Sequence, residues 1–147
     1  MTKTAERGFG FIKAISEIIF SATQSVGREN EQYALEIALD LSQKGLIPHK
    51  KEKLPYLTEP WSDKDREGYD LMIPTDLEEE IGLQIKSSWV GKKLFIKHFL
   101  NSRDFPYIPC VVVRKDRSRE EIIEEIRRIC WREYYILQKN KGIKTTL

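Results

Sequence analysis

Gly68-Tyr69-Asp70-Leu71-Met72-Ile73 and, after a short acidic turn, Ile81-Gly82-Leu83-Gln84-Ile85-Lys86-Ser87-Ser88 decide how the rest of the chain is arranged. Both runs alternate with a period of two, as β-strands do, because successive side chains point to opposite faces. In the second run Ile81, Leu83 and Ile85 share one face, and Gly82, Gln84, Lys86 and Ser88 share the other. In the first run Leu71 and Ile73 share one face, and Asp70 and Met72 the other. Paired as a hairpin, the runs put Asp70, Gln84 and Lys86 together: an acid, an amide oxygen and an ammonium on a rigid sheet. An amphipathic hairpin with a wet polar face gives the same alternation, and the pattern alone does not separate the two.

The stretch resembles the core motif of the PD-(D/E)XK nuclease superfamily. There, an Asp at the head of one strand and an acid-x-Lys on the next form a metal site. The matching residues are Asp70 and Gln84-Ile85-Lys86. Tyr69 stands where the name-giving Pro would be, and Gln84 where Glu or Asp is usual. Mrr-type restriction endonucleases carry Gln at that place, and the Gln84–Ser88 run is also similar to the corresponding strand of archaeal Holliday-junction resolvases.

The resemblance implies an α/β fold of the restriction-endonuclease-like kind, an α-β-β-β-α-β core around a mixed sheet. It implies a DNA endonuclease dependent on Mg²⁺, with Mn²⁺ as substitute. Asp70 and Gln84 would be direct ligands and the backbone carbonyl of Ile85 a third. Lys86 would position the attacking water and offset phosphate charge. A Glu on the helix before the first strand would face the metal. Gly27-x-x-x-Glu31 is similar to the resolvase form of that helix, which makes Glu31 the candidate, with Glu29 and Glu36 as competitors. Gln84 lacks the charge of the usual acid, so the site would lean on Glu31 or on a nearby acid such as Asp65 or Glu67.

The 147 residues suit one domain with a real core and are too few for two comfortable ones. A chain 40% hydrophobic and 33% charged reads as soluble and globular with a heavily charged surface. Cys110 and Cys130 sit in apolar runs without CxxC or Cys/His spacing, which argues against zinc and for reduced, buried thiols of a cytoplasmic protein. Residues 9–22 are apolar, but Lys13 and Glu17 interrupt them, so neither a signal peptide nor a membrane span is expected. Phe11, Ile12, Ile15, Ile18, Ile19 and Ala22 form a stripe, so residues 3–24 read as a helix packed on the domain, with a partner or dimer contact as its other use.

A second helix is expected from about Glu29 to Lys44, stopped by Gly45. Residues 46–57 read as an edge strand restricted by Pro48 and Pro55, with lysines guarding the edge. Residues 58–67 read as a polar loop in which Trp61 is either an anchor or a stacking surface for a base. A short helix is expected over 90–101, with Leu94, Phe95, His98 and, at the margin, Phe99 turned inward. Ile108 to Val113 reads as a buried strand. Ser118-Arg119-Glu120-Glu121 is a capping box that opens a long helix to about Gln138. Its buried side is Ile122, Ile126, Ile129, Cys130, Tyr134 and Leu137. The core of this single domain (1–147) spans about 27–115, with helical additions at both ends.

Charge adds a separate hint. Residues 63–80 hold eight acids against two bases, a balance of −6, so the remainder carries +8 within a net +2. A metal-dependent nuclease needs cations for the phosphate backbone around acids for the metal. Solvated surface charge explains any single cluster equally well. Lys50, Lys51, Lys92 and Lys93, with Ser88, are the candidate nucleic-acid contacts. The expected partner is DNA (junction, branched or duplex), and a homodimer is expected so that two sites meet two strands. Two other readings stay open: a DNA-binding module that keeps the fold without catalysis, which Gln84 permits, and an assembly protein that uses the first helix.

Overall fold

Helix α1 runs through residues 27–43 and ends where Gly45 stands. The Gly45 amide donates to the Ser42 carbonyl (3.1 Å) and the Leu46 amide to the Leu41 carbonyl (2.9 Å), so the last turn leaves few carbonyls unmet. The computed structural model describes residues 27–100 and 108–142, and the side chains of 99 and 100 are outside that description. The helix expected over 3–24, the inward turn of Phe99 and the end of the tail lie outside the described residues.

Four strands follow: β1 (Tyr56–Leu57), β2 (Leu71–Pro74), β3 (Glu80–Lys86) and β4 (Cys110–Val112). They form one sheet in the order β1-β2-β3-β4. β1–β2 and β2–β3 are antiparallel, and β4 lies parallel to β3. A parallel neighbour requires a crossover, and helix α3 (Trp89–Leu100) lies within it. A short helix α2 (Asp63–Arg66) precedes β2, and α4 (Arg119–Asn140) closes the described chain. The described residues therefore form a mixed α/β fold with four helices and a four-stranded mixed sheet.

Alternation sends the apolar set of each strand to one face. Leu71, Ile73, Ile81, Leu83, Ile85, Val111 and Val113 pack there against Ala34, Ile37, Ala38 and Leu41 of α1 and Ile122, Ile126, Ile129 and Cys130 of α4. The opposite face carries Met72, Gln84, Cys110 and Val112, all buried. It is not the wet face that an amphipathic hairpin would have. Helix α3 packs on β3 and β4 and removes much of it from water.

The Tyr69 ring belongs to the same cover. A Cβ built on Gly82 would stand 2.1 Å from Tyr69 Cδ1, so residue 82 must be glycine for the ring to lie across the strand. Gly82→Ala should cost about 1–3 kcal/mol of stability by overpacking, read as a lower urea midpoint at unchanged slope.

Several expectations need correction. The strand over 46–57 shrinks to Tyr56–Leu57 plus an isolated Lys50–Lys53 bridge, because Pro48 and Pro55 bring no amide donor to a ladder. The loop over 58–67 contains α2, capped by Ser62, whose hydroxyl accepts from the Asp65 amide at 3.3 Å. Trp61 is no buried anchor: it is 80% exposed, at φ +65°. Leu94 is 62% exposed and His98 is exposed, because the inward side of α3 faces the sheet through other positions, with Phe95 half-buried.

Ser118 does cap α4, accepting from the Glu121 amide at 3.1 Å. The far end of α4 is tied to the β2–β3 turn, where Tyr134 donates to Asp76 (2.7 Å) and Lys141 to the Leu77 carbonyl. Both cysteines are buried free thiols, and burial pushes Cys110 up to about 11 and Cys130 higher still. Among the described residues no helix is long and apolar enough to cross a membrane.

Candidate active site

Asp70 immediately precedes β2, and the Leu71–Leu83 pair of the ladder sets it beside Gln84. Lys86 follows two residues later on the same face. The acid, the amide and the ammonium of the sequence motif therefore share one end of the sheet. The Ile85 amide donates to Asp70 Oδ2 at 2.9 Å, which fixes one carboxylate oxygen of a residue that lines a cavity.

That cavity, about 260 Å³, is lined by Asp70, Glu31, Asp65, Arg28 and Thr58, among others. Burial raises Asp70 to about 7, with Glu31 and Asp65 adding to the rise and the Ile85 amide and Lys86 opposing it. Burial also raises Glu31, followed by the Asp65 carboxylate, against Arg28 and Lys86. Four groups thus feel one another: three carboxylates and one ammonium. Among the described residues no set of three or more His, Cys, Asp or Glu side chains closes into a ligand sphere.

Gln84 is 8% exposed, and its Oε1 has no hydrogen-bond partner. An unpaired buried oxygen costs about 1–3 kcal/mol. The backbone leaves room for it. A Cβ on Gly68, which sits at φ +100°, would press Ile108 Cδ1 at 3.3 Å and lie 3.8 Å from Gln84 Oε1 and from the Phe95 ring. Lys86 Nζ stands 5.1 Å from the Phe95 ring centroid, so α3 supplies a cation–π partner that holds the ammonium at this end of the sheet.

Among the competing glutamates, Glu31 lines the cavity, Glu29 pairs with Lys115 (3.5 Å) on the other flank of α1, and Glu36 is exposed. Of the two nearby acids, Asp65 lines the cavity, while Glu67 acts on Tyr69. Asp65 is held in place twice. Its Oδ2 accepts from the Trp61 amide at 3.0 Å, and its neighbour Lys64 binds Tyr56 (2.6 Å) and Glu80 (2.5 Å), pinning α2 to the sheet.

The expected nucleic-acid contacts do not gather here. Ser88 caps α3, its hydroxyl accepting from the Gly91 amide at 3.0 Å. Lys92 reaches Glu125 (3.4 Å), and Lys93 is exposed. Lys50 lines a small cavity with Pro74 and Glu78–Glu80, so the 50–53 turn sits by the far end of β2, roughly 13 Å along the strand from Asp70. Most acids of 63–80 lie away from the cavity too; of the eight, only Asp65 and Asp70 line it.

Sequence reasoning missed Phe95 as the seat of Lys86, Ser87 as the partner of Asn30 (2.9 Å), and Glu125 as a buried acid. Only Glu125 left a trace, at a position inside the apolar stripe of α4. Comparison with family models, curated proteins and solved structures finds no match.

Proposed function

We propose that this protein is a metal-dependent endodeoxyribonuclease with a restriction-endonuclease-like α-β-β-β-α-β core, hydrolysing phosphodiester bonds of duplex or branched DNA. The observation that carries the reading is the convergence of Asp70, Glu31 and Asp65 on one cavity, with the Lys86 ammonium acting on Asp70 and Glu31 and the unpartnered oxygen of Gln84 on the strand beside Asp70. The order helix, strand, short helix, two strands, helix, strand supports the fold assignment, with α2 as an insertion between the first two strands.

The donor set suits Mg²⁺, with Mn²⁺ as substitute. It is all oxygen, and Mg²⁺ keeps several waters, so one or two direct ligands suffice. Asp70 and Gln84 would hold the ion, with the Ile85 carbonyl as a third ligand. Glu31 and Asp65 would orient its waters, and Asp65 supplies charge that Gln84 lacks. The bound ion contributes Lewis-acid charge at the phosphate and a more acidic water. Lys86, steadied by Phe95, positions the attacking water and balances charge that grows on the phosphate oxygens. A homodimer would bring two cavities to two strands.

The neutral Gln84 favours one second reading, a DNA-binding module that has lost cleavage. Nicking of linear, flapped and four-way DNA in Mg²⁺ or Mn²⁺, against EDTA, separates the two. Expected are metal-dependent nicking, a rate about 10–100-fold lower for Gln84→Ala, and a lower half-saturating Mg²⁺ for Gln84→Glu. DNA binding without cleavage under either metal selects the second reading, and a Gln84→Ala variant that titrates like wild type removes Gln84 from the site.

A further inference from the structure

The first described turns of α1 separate two concavities. Arg28 and Glu31 face the acidic cavity, whereas Glu29, Asn30 and Tyr33 line a groove against the loop between β4 and α4. The groove consists of two adjoining hollows, about 360 and 260 Å³, that share Glu29, Asn30, Arg114 and Lys115. Ser87, the residue after Lys86, stands on its wall. The groove and the acidic cavity therefore open at the same end of the sheet, on either side of one helix.

We infer that this groove binds a backbone phosphate of the nucleic-acid strand cut at the acidic cavity, with Arg114, Lys115 and the Ser87 hydroxyl as its ligands; the inference rests on the nuclease reading.

The chemistry of the wall is that of an anion seat. Asn30 is 7% exposed, and its Nδ2 donates to Ser87 Oγ at 2.9 Å. That bond occupies an acceptor lone pair and leaves the hydroxyl proton free to donate to another oxygen. Arg114 and Lys115 are held only by surface pairs, to Asp116 at 3.0 Å and to Glu29 at 3.5 Å, with the Lys115 side chain 88% exposed. Such exposed pairs are worth little and exchange readily for a phosphate. Arg117 is different. It is bound to Glu125 and to the Val112 carbonyl (2.8 Å), so it forms a fixed wall rather than a mobile ligand. The groove lining thus holds Arg114, Lys115 and Arg117 with Glu29 and Asp116; Arg117 is committed to Glu125 and Glu121, so the exchangeable cations are Arg114 and Lys115. The basic turn at Lys50–Lys53 offers no equivalent, since Glu78, Glu79 and Glu80 line the cavity beside it.

The test is fluorescence anisotropy with a labelled duplex and a labelled four-way junction in metal-free buffer, over about 50–200 mM salt. Arg114→Glu with Lys115→Glu should weaken binding about 10–100-fold and flatten the salt slope by about 1–2. Ser87→Ala should weaken it about 5–10-fold at an unchanged slope, a loss that a diffuse charge effect would not give. The same charge reversal at Arg128 and Arg132, on the exposed side of α4, should stay within about twofold. Thermal melts check that each variant is folded. If wild type binds DNA and the groove variants match its affinity and slope, the groove inference falls while the nuclease reading stands. It falls too if Lys50→Glu with Lys51→Glu costs more than the groove variant. A wild type that binds no DNA at any salt overturns the nuclease reading as well.

Discussion

Asp70→Asn should stabilise the metal-free protein above pH 7 and, under the nuclease reading, abolish cleavage at the same time. Both effects come from one buried carboxylate. The Asp70 carboxyl is raised from an ordinary 3.8 to about 7, because burial penalises the charged form more than the Ile85 amide and Lys86 favour it. Folding therefore favours the protonated acid. The corresponding stability is fully present below about pH 4 and is lost as pH rises through about 7. The gap between 3.8 and about 7 is worth about 4 kcal/mol at full weight, and partial solvent contact reduces it to roughly 2–4 kcal/mol. Asn keeps an oxygen for the Ile85 amide and carries no charge at any pH. Urea melts should thus nearly coincide for the two proteins at pH 4, diverge between pH 4 and 7, and differ by roughly 2–4 kcal/mol at pH 8.

Cleavage should move the other way. Asn cannot supply the anionic ligand, so under the nuclease reading nicking should fall by about 10³-fold, several kcal/mol of transition-state stabilisation. At subsaturating Mg²⁺, wild-type nicking should rise with pH through about 7, as the metal-free Asp70 carboxyl ionises and can take up the ion. Mg²⁺ at pH 8 should raise the melting temperature of wild type and leave Asp70→Asn unmoved. Equal stability of the two proteins at pH 8 would mean that Asp70 is not buried as charge. Equal nicking would remove it from the site.

The hairpin was legible because its information is local. Period-two alternation in 68–73 and 81–88 fixes which side chains share a face, and a short turn fixes the register, so Asp70, Gln84 and Lys86 could be grouped without coordinates. Gly45 and Ser118 were legible for the same reason: caps are read within four residues. What the sequence hid depends on contacts across the fold. That Asp65 rather than Glu67 reaches the cavity follows from α2, whose start is set by Ser62 and whose seat is set by Lys64 on Tyr56 and Glu80. Phe95 read as core, and only the packing of α3 on β3 puts its ring under Lys86. Lys50, a candidate nucleic-acid contact, stands by Glu78, Glu79 and Glu80 at the far end of β2 and not by the Asp65 and Asp70 of the cavity, a separation that only the run of β2 reveals.

Glu125→Ala should be the most destabilising single change outside the apolar core, by about 3–5 kcal/mol in urea melts. Glu125 sits on α4 between Ile122 and Ile126 and is 7% exposed. Its carboxylate pairs with Arg117 and, at 3.4 Å, with Lys92. Trp89 caps the group, its ring centroid 5.0 Å from the Arg117 guanidinium and 5.7 Å from Lys92 Nζ. Two cations from different elements, the β4–α4 loop and α3, thus share one buried anion. Removing it leaves Arg117, 13% exposed, against the aromatic wall and the Val112 carbonyl with the exposed Glu121 carboxylate, at 3.7 Å, as its remaining counter-charge. Glu125→Gln, which keeps the volume and one acceptor, should lose less than the alanine variant, and the double change Glu125→Leu with Arg117→Met should recover part of the loss, since a buried ion pair is replaceable by apolar packing. The site should register the change too. Helix α3 carries both Lys92 and Phe95, so loosening its docking frees Lys86 before the protein unfolds. Amide exchange within α3 should accordingly rise in Glu125→Ala at denaturant concentrations where α1 remains protected. A variant that melts as one unit with α1 and α3 exchanging together would place Glu125 in the global core instead and detach it from the seat of Lys86.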